Sequence, residues 1–168
     1  MQNPLADLPP VPPELVFDEE EVSTQSLFFD TNSALQPEVA RARQQGRPTL
    51  ISALVYAELI TRRKDPKGLR IIDTNLIERG LRVVPFDELS ARCFFDLNRQ
   101  LRFDAPPLQR QNETERASRD RLRFDLAVFA AALRHRAMLI TDNTNDFMHF
   151  PYREYWKTRA EAFSGPAP

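Results

Sequence analysis

The chain has 168 residues, 42% of them apolar and 28% charged, and a formal net charge of −1. That is about one domain, large enough to bury a core without covalent staples, and a single cysteine, Cys93, excludes a disulfide framework or a cysteine-built zinc site. The near-neutral charge excludes a general polyanion binder and leaves only local basic patches open.

No apolar run reaches the ~20 residues of a membrane span. The start lacks the basic head and apolar core of a signal peptide. A cytoplasmic protein without membrane contact is therefore expected. Five of the 14 prolines fall within the first 13 residues, and Asp18-Glu-Glu-Glu21 follows. Residues 1–25 read as an extended, solvated arm. The body runs over 26–150, and 151–168 form a terminal segment with a frayed end.

The body alternates strand and helix signals. Ser26-Leu-Phe-Phe29 is a short buried strand. Pro37 opens and Gly46 closes a helix over 37–45. Thr49-Leu-Ile51 is the next strand, and Ser52 caps a helix over 53–63. Leu69, Ile72, Leu76 and Ile77 recur at helical spacing up to Gly80. Residues 82–86 form a strand, and Asp87 caps a helix over 88–101. Polar residues 103–120 read as a long loop, 121–136 as a helix and 137–141 as a strand. Such alternation predicts an α/β fold with a parallel sheet covered on both faces, whose ligands gather at the carboxyl ends of the strands.

Three carboxylates stand alone. Asp30 is the only charge from Val22 to Pro37, Glu58 the only one from Pro48 to Thr61, and Asp125 the only one from Phe124 to Leu133. Each has a plain explanation: a turn cap for Asp30, the solvent side of a helix for Glu58, a first-turn carboxylate for Asp125. Their joint occurrence favours a shared site, because isolated buried carboxylates are costly unless something neutralises them. No Lys or Arg lies within these stretches. A divalent cation is the other way to gather carboxylates. A fourth polar group, Thr141-Asp-Asn-Thr-Asn-Asp146, closes the strand 137–141, and its 142–146 turn would reach the same sheet edge as Asp30. All-oxygen ligands suit Mg²⁺ or Mn²⁺, and the chemistry inferred is metal-dependent phosphodiester hydrolysis.

Four segments carry a likeness: Leu27-Phe-Phe-Asp-Thr-Asn32, Ile51-Ser-Ala-Leu-Val-Tyr-Ala-Glu-Leu59, Asp125-Leu-Ala-Val-Phe-Ala-Ala-Ala-Leu133 and Leu139-Ile-Thr-Asp-Asn-Thr-Asn-Asp-Phe147. In order and content they resemble the PIN domain, most of all the VapC-type toxins of bacterial toxin–antitoxin pairs. The resemblance implies a three-layer α/β/α sandwich with a central, mostly parallel sheet. It also implies a Mg²⁺- or Mn²⁺-dependent endoribonuclease leaving a 5′-phosphate and a 3′-hydroxyl, a homodimer, and a protein antitoxin. Carried over by motif, Asp30, Glu58, Asp125 and Asp146 are the catalytic and metal-binding acids, with Asn143 assisting. Asp142 is a neighbour able to replace Asp146. Asn32, Asp142, Arg62 and Arg63 are candidate substrate contacts.

Three features depart from the family pattern: the long 103–120 loop, the absence of a recognisable last strand in Phe150–Trp156, and the proline-rich arm. The second Asp-Thr-Asn, at 73–75, reads as a decoy on a helix with Asp73 and Asn75 facing solvent. The rival function is a noncatalytic PIN-like scaffold that binds RNA or protein.

Overall fold

The computed structural model describes residues 11–16, 25–63, 65–101 and 113–164. Five strands, β1 (Leu27–Phe29), β2 (Thr49–Ser52), β3 (Leu81–Val84), β4 (Met138–Ile140) and β5 (Trp156–Lys157), form one sheet in the order β3-β2-β1-β4-β5. Every pairing is parallel. Among the described residues seven α-helices join them: α1 (Pro37–Gln44), α2 (Ala53–Thr61), α3 (Pro66–Arg79), α4 (Glu88–Gln100), α5 (Glu115–Arg134), α6 (Thr144–Phe147) and α7 (Arg159–Phe163). The expected α/β architecture with a parallel sheet is what the chain adopts. β1 and β2 are buried at every position, as strands covered on both faces must be.

The chain runs outward from β1 through β2 to β3, then returns to place β4 on the other side of β1. Phe29 stands opposite Ile140 in that pairing. The strand order therefore reverses between β1 and β4, the position at which open α/β sheets form a crevice. Phe28, Phe29, Leu50, Ile51, Leu139 and Ile140 fill the core around this seam. An aromatic group of Phe129, Phe147, Phe150 and Trp156 closes the β5 side, with ring centroids 4.8 Å apart for Phe147–Phe150 and 5.8 Å for Phe147–Trp156.

Local signals explain the helix starts. Ser52, Asp65, Asp87 and Thr114 each accept a backbone N–H of their helix's first turn. Gly80 ends α3 in the left-handed region at φ 72°, where a Cβ would be strained and would strike the side chain of Arg43.

Four readings of the sequence are corrected. Residues 115–120 are helix, not loop: Thr114 caps them, and Glu115–Arg119 pairs at 2.6 Å one turn apart. Their polarity is that of an exposed helical face. Asp125 consequently lies past the second turn of α5, not at its start. Of the rest of the expected loop, 103–112 lies outside the described residues.

The arm, where described, is largely exposed but not free: one residue anchors it to the sheet. Leu15 is fully buried, Val16 bridges to Val83 of β3, and the guanidinium of Arg82 donates to the Glu14 carbonyl. A single leucine among prolines is too small a signal for composition to register.

A last strand does exist. Trp156 and Lys157 pair in register with Leu139 and Ile140, and two residues are too few to show periodicity. Finally, Asp73 is buried and accepts a hydrogen bond from the Tyr56 hydroxyl at 2.7 Å, so it does not face solvent.

Candidate active site

A cleft of about 380 Å³ opens at the carboxyl end of the sheet. Its walls are Asp30, Thr31 and Asn32 from the end of β1, Glu58 and Arg62 from α2 and its C-terminus, Arg121, Phe124, Asp125 and Val128 from α5, and Asn143 from the turn after β4. Three lone carboxylates, far apart in sequence, thus share one cavity.

Asp30 is 9% exposed. Its Oδ1 accepts from the Ser33 backbone N–H at 2.8 Å and from the Ser33 hydroxyl, and its Oδ2 accepts from the Thr141 hydroxyl at 2.5 Å. The turn after β1 and the end of β4 therefore hold this carboxylate from two sides, in a setting that compensates a buried charge. Glu58 is the more open acid. Its side chain is 36% exposed, Oε2 accepts from the Thr31 hydroxyl at 2.5 Å, and Oε1 pairs with Arg62 at 2.7 Å. Asp125 Oδ2 accepts from the Asn143 amide at 3.0 Å. These partners supply part of the neutralisation for which the sequence reading offered a cation.

Asp146 is 3% exposed and does not line the cleft. Its Oδ2 accepts from the Asn143 amide at 2.7 Å and from Arg121. Arg121 also pairs with Glu113 at 3.0 Å. Hydrogen bonds donated to Glu113, then to Asp146, raise the Arg121 pKa above its already high ordinary value, against the opposing effect of burial.

Asp142 turns elsewhere. It accepts from the backbone N–H and side chain of Arg159 at the start of α7 and is not part of the cleft wall. Arg63 is exposed and packs over Gly68, also away from the wall, whereas Asn32 and Arg62 belong to it. Lys64, the next residue along the chain, lies outside the described residues.

Sequence reasoning missed Ser33, Thr31, Thr141, Glu113 and Arg121 as members of the site. The first three are small hydroxyl residues without a pattern of their own. Arg121 was legible only as one of several arginines before Asp125.

The donor set facing the cleft is oxygen from carboxylates and an amide, which fits a hard divalent cation such as Mg²⁺ or Mn²⁺. Among the described residues no three Asp, Glu, His or Cys side chains form a ready-made metal cage; the acids stand around the cavity, each with its own partner.

No family model matches the chain, and no curated protein does. Solved structures do. It superposes on a chain of DNA-bound VapBC from Salmonella typhimurium with a TM-score of 0.56 and 18% identity, over 79% of this chain and 97% of that one. It superposes on a chain of VapBC2 from Rickettsia felis, bound to a DNA fragment from their promoter, with a TM-score of 0.54 and 17% identity over the same shares. A toxin–antitoxin complex from Klebsiella pneumoniae gives 0.53 and 19%, again over 79% and 97%. The fold is that of the PIN domain. Within this PIN fold the cleft sits where the strand order reverses, at the seam between β1 and β4.

Proposed function

We propose that the chain is a Mg²⁺- or Mn²⁺-dependent endoribonuclease and the toxin of a toxin–antitoxin pair. The observation that carries this reading is the convergence of Asp30, Glu58 and Asp125, from three separate segments, on one cleft beside Arg62. Superposition on chains of toxin–antitoxin complexes supports the cellular role. A cognate antitoxin, a homodimer and a cytoplasmic setting are part of the same reading. Among the described residues no helix is long and apolar enough to cross a membrane.

Asp30, Glu58 and Asp125 would hold the ion, with Asn143 beside them. When bound, it supplies a Lewis acid that lowers the pKa of water and offsets charge building on the phosphoryl oxygens. The remaining work falls to the chain. Ser33 and Thr141 fix the Asp30 carboxylate, and Thr31 fixes that of Glu58. Arg62, 57% exposed in its side chain, is placed to meet a phosphate entering the cleft. Asn32, on the same wall, offers an amide to the ribose or a base edge.

The test is cleavage of a panel of single-stranded and structured RNAs by the purified chain with Mn²⁺ or Mg²⁺, and with EDTA. Cleavage that requires the ion supports the reading. RNA binding without cleavage of any substrate, at all ion concentrations, favours the noncatalytic scaffold.

A further inference from the structure

Asp146 is buried against α5, and one oxygen of its carboxylate already holds two partners. Oδ2 accepts from Arg121 and from the Asn143 side-chain amide. That same Asn143 nitrogen donates to Asp125 Oδ2 at 3.0 Å. Arg121 turns its other nitrogens to Glu113, at 3.1 Å from Nε and 3.0 Å from an Nη. The side chains of Arg121, Glu113 and Asp146 are 18%, 17% and 4% exposed, so this ion-pair chain is shielded from water. It runs Glu113, Arg121, Asp146, Asn143, Asp125, from the residue before the cap of α5, through its second turn, into α6 and back to α5.

We infer that Glu113 and Arg121 are positioning residues for the cleft: through Asp146 and Asn143 they fix the Asp125 carboxylate, and Asp146 acts through Asn143 rather than as a direct metal ligand. The inference deepens the nuclease reading and rests on it for the function of Asp125. Asp146 does not line the cleft, and an ion there would compete with Arg121 and Asn143 for its Oδ2. An asparagine amide is freely rotatable, and a carboxylate behind it selects the rotamer that presents the N–H to Asp125. The planar guanidinium spans two carboxylates at once, which the ammonium of a lysine does not match.

The test compares wild type with Glu113→Gln and Arg121→Lys in the full chain. Arg119→Lys, on the exposed Glu115 pair, serves as the control. Folding is checked by circular dichroism. The Asn143 side-chain amide is followed by NMR without metal, and Mn²⁺ affinity by calorimetry. Both variants are expected to shift the Asn143 amide resonances toward those of a solvent-exposed asparagine and to weaken Mn²⁺ binding by about tenfold or more, the usual effect of losing an outer-shell partner. The control is expected to change neither.

An Asn143 resonance unmoved in both variants overturns the inference, whatever happens to Mn²⁺ binding, and leaves the ion pairs a role in stability alone. If Arg121→Lys does not fold, Glu113→Gln decides. A wild type that takes up no Mn²⁺ refutes the metal reading by itself, and the amide resonances still decide whether the chain positions Asp125.

Discussion

The Thr141 hydroxyl donates to Asp30 Oδ2 at 2.5 Å across the seam between β1 and β4. The Thr141 hydroxyl oxygen in turn accepts from the Asn143 backbone N–H at 3.1 Å. One threonine thereby locks the carboxylate at the end of one strand to the turn at the end of its neighbour.

Thr141→Val keeps the shape and removes that link. It leaves a buried carboxylate oxygen and a backbone N–H each short of a partner, a loss of about 1–3 kcal/mol. Urea denaturation of wild type and variant measures it. A change below about 0.5 kcal/mol, the range of an ordinary surface substitution, would show that water replaces the hydroxyl.

Glu58→Gln tests the chemistry with little disturbance to the fold. The Arg62 pair is half open and spans one helical turn, a geometry worth about 0.3–0.5 kcal/mol. Cleavage of single-stranded RNA is expected to fall at least about a hundredfold, ~3 kcal/mol of transition-state stabilisation. RNA binding is expected to survive. A variant that cuts as fast as a cutting wild type removes Glu58 from the machinery.

Acid sensitivity is expected at the junction of α4 and α5. Burial alone would raise the Asp87 pKa, but hydrogen bonds from the Ser90 N–H and hydroxyl and from Arg134 outweigh it and hold the pKa below the ordinary carboxylate value. With the folded pKa below the unfolded one, this stabilisation is complete above the unfolded pKa and is lost as pH falls through the folded one. Asp87→Asn retains a capping oxygen and abolishes the titration. Melting curves from about pH 6 to about pH 3 should show a shallower acid limb for the variant; identical limbs would place the sensitivity elsewhere.

At alkaline pH the sign reverses. Burial first, then the hydrogen bond and charge of Asp73, raise the Tyr56 pKa well above that of a free phenol. The pair therefore stabilises the fold below the unfolded tyrosine pKa and ceases to do so as pH climbs through the folded one. Tyr56→Phe strands the Asp73 carboxylate and is expected to cost about 1–3 kcal/mol. Asp73→Asn in the same background should recover part of that loss, and absence of recovery would mean Asp73 has adequate partners without the phenol.

Much of the fold was legible because its signals are local and repeated: caps at Ser52 and Asp87, Gly80 at a helix end, short apolar runs at 27–29 and 138–140. The three acids of the cleft were legible for a different reason, since a single charge in an apolar stretch is conspicuous. Glu113 and Arg121 were hidden because charged residues are common in their neighbourhood and nothing in the spacing says which one turns inward. Leu15 and β5 were hidden because a one-residue anchor and a two-residue strand carry no period. Asp73 was misjudged because its partner, Tyr56, belongs to another helix.

The pairing of β1 with both β2 and β4 has a consequence for synthesis. β2 and β3 follow β1 closely in the chain and can assemble on it early, but Leu27 meets Met138, and the donor to Asp30 lies 111 residues away. Contacts of such separation form late, and a chain emerging from the ribosome folds from its N-terminal end. A nascent chain ending before Met138 already holds Asp30, Glu58 and Asp125, yet lacks the strand and the asparagine that fix two of them. Completion of the cleft is thus deferred until β4 and Asn143 have been made.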